Sequence, residues 1–544
     1  MKKGSFGLFF SIPMVLVIIF VFILPYGAAF KNAFSIGEEI SLWKNTGLLR
    51  ITFFTVKQAL LSVVVSLVLG LPGAFILGSR RSRFTPFLRT YTAIPFAMPS
   101  ILVVLGFVLF FGNSGWVNHL LGTFSPAGEG PLRILYKPEA IILAHGFFNF
   151  PLVIRLAGDG LARAGRTYTD SAANLGASPL EIIFSVILPL VFPSIMSASL
   201  LVFLYSFTSF AVVLVLGGGP ASTTLSVEIY RHAKIFLNYR NAGMLALVET
   251  GIAVLFFAAY FGFVKKSGEI HPEIEEYHEK INDKYIPSRI LRILYYLIIA
   301  IIVLGPIFSI ILESFLYQPS RSASLVFGLR WWFSLSNTCL PALFRSLVLA
   351  LISATLACIL AVLAAGSLIR RTGKTNPLAS SLVRFLAAAP IVSSGIVLGL
   401  GWLIVYGRNS SLVSLVMLHV VIALPFAFNS IYEGFRSLPA NIIDAASVLG
   451  SSPGKTILNI ALPLSFKRIC SAWGFAAALS LGELNTVMML GMENWETLPL
   501  YIYRAAGAYR YGAACAAGTL LLVCCASLFL VSEYMMRNEE ALVK

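Results

Sequence analysis

The chain has 544 residues, of which 58% are hydrophobic and only 12% charged. A soluble protein of this length needs far more polar surface to cover its core, so the composition excludes an ordinary soluble globular protein. The formal net charge of +16 raises nucleic-acid binding as a first hypothesis, which the distribution of the charge along the chain must then support.

Long apolar stretches recur from one end of the chain to the other. A helix needs about 20 apolar residues to cross a bilayer, and lipid offers the backbone no hydrogen-bond partner, so such stretches are helices or closed barrels. Barrel strands alternate apolar and polar residues, whereas these stretches are apolar all round. The sequence therefore predicts an all-α polytopic membrane protein with about twelve transmembrane helices, near residues 7–30, 51–77, 91–112, 139–157, 187–216, 243–264, 290–313, 345–369, 382–405, 411–431, 459–490 and 512–534.

The basic residues indicate the orientation of these spans. With the N-terminus inside, 25 of the 40 Lys and Arg residues fall on inner segments and span ends, and 15 fall on the outer side. Basic residues accumulate on the cytoplasmic side, so both termini are expected in the cytoplasm. The charge is then explained by topology, with no nucleic-acid partner. Lys2 and Lys3 resemble the start of a signal peptide, but the apolar run after them is longer than a signal core, which favours an uncleaved first span.

The sequence contains an internal repeat. Residues 170–179 (DSAANLGASP) return as 444–453 (DAASVLGSSP), and LPL at 188–190 returns at 462–464, with a constant offset of 274. An internal repeat of this kind indicates a duplicated architecture. We expect two tandem six-helix domains, 1–264 and 290–544, joined by a polar cytoplasmic linker, 265–289.

The repeated segment is polar, lies between two spans and faces the cytoplasm by the charge count. In the first copy the pattern predicts a short helix over 170–175, with Gly176 in the left-handed position that follows. Ser178 then caps a second helix, with Pro179 at its first position and Glu181 completing a capping box. We expect a helix, a tight turn and another helix that enters the membrane.

The second copy repeats the turn at Gly450 and the cap at Ser452, with Lys455 in place of the glutamate. Two near-identical elements on one side of the membrane imply a partner with two-fold symmetry, and their alanines leave room for its close approach. The predicted docking residues of the loops 165–189 and 437–463 are Asp170, Ala172, Ala173, Gly176, Ser178, Pro179, Asp444, Ala445, Ala446, Gly450, Ser452 and Pro453.

The motif Asp-x-Ala-x-x-Leu-Gly-x-Ser-Pro, followed by Leu-Pro, resembles the EAA loop of binding-protein-dependent ABC importer permeases. The resemblance covers essentially the whole chain in two copies; Asp170 and Asp444 replace the leading glutamate, and Ser171 replaces one alanine. It implies a coupling helix that inserts into a groove of a homodimeric ATPase subunit. It also implies an extracytoplasmic substrate-binding protein, a location in the lipid of the inner membrane, and no cofactor in this chain, because ATP and Mg belong to the partner ATPase.

Within that family, this chain most resembles the fused permeases for thiamine, which have a similar length. It next resembles the permeases for ferric iron. The thiamine resemblance rests on residues 144–151 (AHGFFNFP), 209–220 (SFAVVLVLGGGP), 497–503 (TLPLYIY) and 507–510 (GAYR). The expected function is import of thiamine or a phosphorylated form, and import of ferric iron or another small solute is the alternative.

Four residues are predicted to line the substrate pathway: Glu483, its first-half counterpart Ser209, and the equivalent pair Ser206 and Ser480. A charge inside the bilayer is costly and by default faces a cavity or a partner, and a carboxylate suits a cationic substrate. A helix-packing or gating hydrogen bond is the alternative for Glu483. Glu249 is a weaker candidate of the same kind.

Other chemistry-bearing residues are given structural interpretations. His145 and His419 occupy equivalent places, and an interhelical hydrogen bond is favoured for them over a metal site, which needs more ligands. The six cysteines form no CxxC pair and predict neither a disulfide framework nor a metal site. GKT at 373–375 and 454–456 lacks the glycine that a phosphate-binding loop has five residues earlier, so the ATPase must be another chain.

The leading rival is a stand-alone secondary transporter with two homologous halves. That class explains the duplication and the hydropathy, but it gives no reason for paired cytoplasmic loops. A membrane-embedded enzyme is third, and no cluster of catalytic residues in the sequence supports it. We therefore expect a transport subunit without catalytic residues, working by alternating access.

Overall fold

The computed structural model describes residues 8–34, 46–79, 98–124, 132–217, 219, 222–269, 289–318, 324–335, 338–369, 377–407, 411–491 and 495–540. Residues 91–97 of the third predicted span and 270–288 of the predicted linker lie outside these ranges. The described residues are almost entirely helical, which confirms the all-α prediction.

The helices of the first half follow the predicted spans. They are α1 (Ile12–Val17) and α2 (Leu24–Ala33), joined by a π-helix (Ile18–Ile23), then α3 (Thr46–Ser79), α4 (Ser100–Phe111), α5 (Trp116–Gly122), α6 (Pro138–Asn174), α7 (Pro179–Ile182), a π-helix (Ile183–Ile187), α8 (Leu188–Phe207), α9 (Ala211–Leu216), α10 (Leu225–Tyr230), a π-helix (Arg231–Ile235) and α11 (Tyr239–Glu269).

The described residues of the second half include a short antiparallel hairpin, in which Leu316 pairs with Phe327. Its elements are α12 (Arg289–Glu313), β1 (Leu316–Tyr317), β2 (Val326–Phe327), α13 (Arg330–Phe333), α14 (Cys339–Ser367), α15 (Pro377–Ala388), a 3-10 helix (Ala389–Val392), α16 (Gly395–Tyr406), α17 (Leu412–Arg436), α18 (Ala440–Val448), α19 (Pro453–Thr456), a π-helix (Ile457–Ala461), α20 (Leu462–Leu464), α21 (Phe466–Leu481), α22 (Asn485–Leu490), α23 (Leu498–Gly507) and α24 (Tyr511–Glu540).

The number of unbroken spans differs from the predicted twelve. Within the described residues, ten helices are long and apolar enough to cross a membrane, and an eleventh span is a pair bent by 100° between Val392 and Gly395. The predicted span at 459–490 is divided into α20, α21 and α22. Hydropathy does not register a backbone break within an apolar run, which is why the sequence predicted a continuous helix there.

A second difference concerns the helix predicted over 170–175. It is the last part of α6, which runs unbroken from Pro138 to Asn174. The polar residues beyond 157 end the apolar span but leave the helix intact, so the fourth span projects beyond the predicted membrane boundary. In the second half, the equivalent helix is separate: α17 ends at Arg436 and α18 begins at Ala440.

The repeated Leu-Pro pair produces the same distortion in both halves. Proline lacks the N–H that would bond four residues back, and its ring crowds that carbonyl, so the helix widens locally. The N–H of Leu188 donates to the Ile183 oxygen, and the N–H of Leu462 donates to the Ile457 oxygen, each five residues back. The two π-helices therefore follow from the repeated motif.

The two halves share one hydrophobic core. A single cluster of buried apolar side chains extends from Val21 to Cys525 and includes residues of both halves. The first span of each half packs against the third span of the other: a Cβ placed on Gly106 would lie 2.9 Å from the Pro306 Cβ, and one on Gly401 would lie 2.6 Å from the Pro25 oxygen. Glycine permits this close approach of helices.

Equivalent hydrogen bonds hold the helices between the fifth and sixth spans of each half. The N–H of Leu225, at the start of α10, donates to Thr55 Oγ1 at 3.1 Å. The N–H of Leu498, at the start of α23, donates to Ser346 Oγ at 2.8 Å. Each bond satisfies a free helix N–H with a hydroxyl from the second span of the same half. The duplication seen in the sequence is therefore also present in the hydrogen bonding.

Candidate functional site

The turn in the first copy of the repeated loop has the predicted left-handed glycine. Gly176 has φ +89°. Its N–H donates to the Ala173 oxygen at 3.0 Å, and the N–H of Ala177 donates to the Ala172 oxygen at 3.1 Å. This pair of bonds is a Schellman motif, which ends a helix by satisfying its last carbonyls.

The second copy has the same turn. Gly450 has φ +81°, its N–H donates to the Ser447 oxygen at 3.2 Å, and the N–H of Ser451 donates to the Ala446 oxygen at 2.9 Å. A Cβ on Gly176 or on Gly450 would meet nothing within 4 Å. Glycine is therefore required by the backbone conformation and not by crowding.

The helix after each turn begins with the predicted serine cap. Ser178 N–H donates to Glu181 Oε2 at 2.7 Å, and Glu181 N–H donates to Ser178 Oγ at 3.4 Å, which confirms the capping box. In the second copy Lys455 N–H donates to Ser452 Oγ at 3.4 Å. Pro179 and Pro453 stand at the first positions of α7 and α19.

Two equivalent leucines that were not predicted as docking residues are the most exposed of the large hydrophobic side chains in the described parts of the loops. Leu175 is 88% exposed and Leu449 is 85% exposed. Each immediately precedes the left-handed glycine, so the turn holds an apolar side chain at its tip. Their repetition at the 274-residue offset was the signal that could have identified them.

The predicted docking residues lie near these leucines in the sequence and differ in how exposed they are. Ala446 is only 7% exposed and packs within this chain, and Asp170, Ala172, Asp444 and Pro453 are partly buried. Residues Ala173, Gly176, Ser178, Ala445, Gly450 and Ser452 are exposed. The outer surface of each loop therefore consists of the turn and its leucine more than of the alanines.

The predicted pathway residue Glu483 lies at the break between α21 and α22. Its Oε1 accepts hydrogen bonds from the N–H groups of Asn485, at 2.8 Å, and Thr486, at 3.1 Å. The carboxylate thus caps the short helix α22, as the hydrogen-bonding alternative expects. Its side chain is partly exposed, so the cap does not enclose it.

The break at Glu483 lies where the two halves meet. A Cβ on Gly482 would be 2.9 Å from Pro99 of the first half, and one on Gly395 would be 3.0 Å from Glu483 Oε1. Pro99 immediately precedes α4, the third span of the first half. Gly395 is the first residue of α16, in the third span of the second half. Glu483 therefore stands beside the N-terminal ends of both third spans.

Ser209 lies at the equivalent break of the first half, between α8 and α9. It is partly exposed, as is Glu483. The two breaks are related by the repeat, and each is followed by a six-residue helix, α9 or α22. The structure therefore places these two predicted pathway residues at corresponding positions.

Ser206 and Ser480 are buried and join helices to one another. Ser206 Oγ accepts from Asn149 Nδ2 at 3.1 Å, and its carbonyl oxygen accepts from Gln58 Nε2 at 2.9 Å. Ser480 Oγ bonds His419 Nδ1 at 2.7 Å. These bonds favour a structural role for the two serines over the predicted pathway role.

The two equivalent histidines make the predicted interhelical hydrogen bonds. His145 Nδ1 lies 3.1 Å from Gln58 Oε1, on the neighbouring helix α3, and His419 is paired with Ser480 as above. Gln58 was not selected from the sequence, although an amide within an apolar span is an unusual residue. In the part of the chain that the structure describes, no group of three or more His, Cys, Asp or Glu residues is placed to hold a metal ion.

Comparison with known proteins matches both halves to one family. The family "Binding-protein-dependent transport system inner membrane component" matches residues 70–265 and 357–539. The two matches together span more than half of the chain and include both repeated loops.

Several relatives are similar over nearly their whole length. The thiamine transport system permease protein ThiP of Escherichia coli strain K12 is 26% identical over 513 residues, which cover 91% of this chain and 90% of the relative. ThiP of Haemophilus influenzae is 27% identical over 532 residues, covering 94% and 93%. The ferric transport system permease protein FbpB of Actinobacillus pleuropneumoniae is 22% identical over 560 residues, covering 98% and 79%.

The duplicated helical architecture, the paired loops and the family match agree with one another. The chain is a multi-pass protein of the inner membrane and a transport subunit, not an enzyme. It belongs to the family of inner membrane components of binding-protein-dependent transport systems, the permeases of ABC importers.

Proposed function

We propose that this chain is the permease of an importer for thiamine or a phosphorylated form of thiamine. The observation that carries the proposal is the similarity to thiamine transport system permeases from four genera over about nine tenths of both chains. The ferric transport system permease is less similar and is covered over a smaller share of its length. Ferric iron is therefore the second candidate.

The ATPase is proposed to bind at the two repeated loops. Leu175 and Leu449 are exposed apolar tips in equivalent turns, and exposed apolar groups of this kind suit burial in a protein interface. Two equivalent tips suit two equivalent sites on a homodimer. ATP and Mg then belong to that partner, and this chain supplies no cofactor.

The loops are mechanically connected to the membrane-embedded helices. The turn at Gly176 directly follows α6, the helix that carries His145 and Asn149 and so bonds to α3 and α8. A movement of the first loop would therefore be transmitted along one continuous helix. Nucleotide binding biases the inward-facing and outward-facing states only if the partner binds them with different affinity. The proposed mechanism is alternating access driven in this way.

The orientation follows from the excess of basic residues on the loop side. Both termini and both repeated loops are proposed to face the cytoplasm. A substrate-binding protein would then dock at the opposite end, where α10 and α23 lie. Surrounding lipid would contact the apolar outer faces of the spans.

The decisive experiment measures uptake of radiolabelled thiamine in cells with and without this gene, with ferric iron measured in parallel. Loss of thiamine uptake, restored by the intact gene, is the expected result. Loss of iron uptake instead would contradict the substrate and retain the importer. Uptake by the purified chain on an ion gradient, without an ATPase, would favour the stand-alone secondary transporter.

A further inference from the structure

A second carboxylate is buried in the membrane-embedded part of the first half. Glu249 of α11 is 1% exposed. It lies ten residues after Tyr239, the first residue of the span Tyr239–Val264, so it is about 15 Å along a span that crosses roughly 30 Å of hydrocarbon. A carboxylate at this depth is expected to have a functional partner.

Only part of the hydrogen-bonding capacity of Glu249 is used. Its Oε2 accepts from Ser226 Oγ at 3.1 Å, whereas Oε1 has no hydrogen-bond partner among the described residues. The carboxylate also lies beside the hydroxyl of Ser394, in the second half. A buried acceptor without a partner is rare in proteins and calls for an explanation, such as a ligand.

Glu249 and Glu483 stand on the same bend. Ser394 lies in the break of the ninth span, where the chain bends by 100° before Gly395 begins α16. Glu249 lies beside Ser394, and Glu483 Oε1 would be 3.0 Å from a Cβ on Gly395. One carboxyl group comes from each half, and each lies beside one of the two adjacent residues, Ser394 and Gly395, at the start of α16.

The surroundings of the bend add an unpaired acceptor and an aromatic ring. Within the described ranges, Asn485 Oδ1 is buried and has no hydrogen-bond partner, and Asn485 Cβ would lie 3.1 Å from a Cβ on Gly395. Tyr26 bonds the hydroxyl of Ser393, the residue that precedes Ser394, through its own hydroxyl. Acceptors and carboxylates together match a cation that carries N–H donors.

We infer that Glu249 and Glu483 form a binding site for an organic heteroaromatic cation, placed at the middle of the translocation pathway around the Ser394–Gly395 bend. The inference rests on the proposed function, since thiamine carries a positively charged thiazolium ring and an aminopyrimidine with N–H donors. It goes further in assigning recognition of the charge to one residue from each half. Separation of the halves during alternating access would then separate the two carboxylates and release the cation.

The test compares thiamine with its neutral isostere, in which carbon replaces the thiazolium nitrogen. Uptake of each is measured in proteoliposomes that contain this chain, its ATPase and its binding protein. Glu249→Gln and Glu483→Gln each remove one charge but keep an oxygen that can accept the existing hydrogen bonds from Ser226 or from the α22 amides. Glu228→Gln is the matched control, because Glu228 is also buried but is paired with Arg231 at 2.7 Å.

We expect each of the first two variants to lower the ratio of thiamine to isostere uptake at least tenfold, and the control to leave that ratio unchanged. Nucleotide-stimulated ATPase activity and the thermal unfolding midpoint verify that a variant is assembled, and either variant suffices if the other is unstable. An unchanged ratio in an assembled Gln variant overturns the site and leaves thiamine import standing. If the unaltered complex transports no thiamine, the proposed substrate fails and this inference fails with it.

Discussion

Gly106 of the first half lies directly against Pro306 of the second, and Gly401 lies against Pro25 with the halves exchanged. Each first span therefore packs on a third span of the other half, and the two contacts are related by the repeat. Because Gly401 belongs to α16, the same contact supports the helix that begins at the Ser394–Gly395 bend. The association of the halves and the geometry of the proposed pathway thus depend on the same pair of helices.

Adding a methyl group at this interface is expected to destabilise the protein. In Gly401→Ala the new Cβ would lie 2.6 Å from the backbone oxygen of Pro25, which has little freedom to move. Overpacking of this kind costs about 1–3 kcal/mol, so the thermal unfolding midpoint in detergent should fall. The control is Gly27→Ala, where the new Cβ meets nothing within 4 Å. Equal midpoints for the two variants would contradict the close contact.

The left-handed turn gives a prediction that does not depend on packing. Gly450→Val places a β-branched residue at φ +81°, which costs about 1–2 kcal/mol, although no neighbour is within 4 Å. Gly450→Asn should cost less, because asparagine tolerates this conformation. Hydrogen exchange of the Gly450 and Ser451 amides is expected to accelerate in the order Gly, Asn, Val. The same rate in all three proteins would show that the Schellman turn is not formed.

The features predicted correctly from the sequence are those that depend on neighbouring residues. The left-handed glycines and the Ser178–Glu181 capping box involve residues only a few positions apart, so the local sequence specifies them. The apolar spans were equally visible, because the bilayer requires a long uninterrupted run.

Other features depend on backbone continuity or on contacts between distant segments, and hydropathy reports neither. The continuation of α6 to Asn174 was missed because polar residues end an apolar run without ending a helix. The approach of Glu249 to Ser394 joins residues of different halves, so it follows from how the halves pack. From the sequence, Glu249 was a weaker candidate than Glu483 because the predicted span 243–264 placed it near a membrane end.

The hydrogen bond between His419 and Ser480 allows a mutation to distinguish a structural role of Ser480 from a role in the substrate pathway. Ser480→Ala leaves His419 Nδ1 without its 2.7 Å partner in a buried site, which costs about 1–3 kcal/mol. We expect a lower unfolding midpoint and an unchanged KM for substrate uptake. Ser527→Ala is the control, because the Ser527 hydroxyl is exposed and bonds within its own helix. A raised KM with an unchanged midpoint would restore the pathway role.

The paired leucines test whether the loops bind the ATPase. Leu175→Glu with Leu449→Glu places a charge at each loop tip, and both side chains are at least 85% exposed, so folding should be preserved. An apolar pocket on the partner would have to bury two unpaired carboxylates, which is strongly unfavourable. The double variant should lose at least tenfold in substrate uptake and should no longer co-purify with the ATPase.

The matched control replaces both leucines with methionine, which keeps the tips apolar and of similar volume, and it should retain uptake and co-purification. Each single glutamate variant should show an intermediate loss, because one intact loop still contacts the ATPase dimer. If the double glutamate variant binds the ATPase and imports normally, the partner does not bury these tips. Docking would then have to be reassigned to other exposed loop residues, such as Ser178 and Ser452.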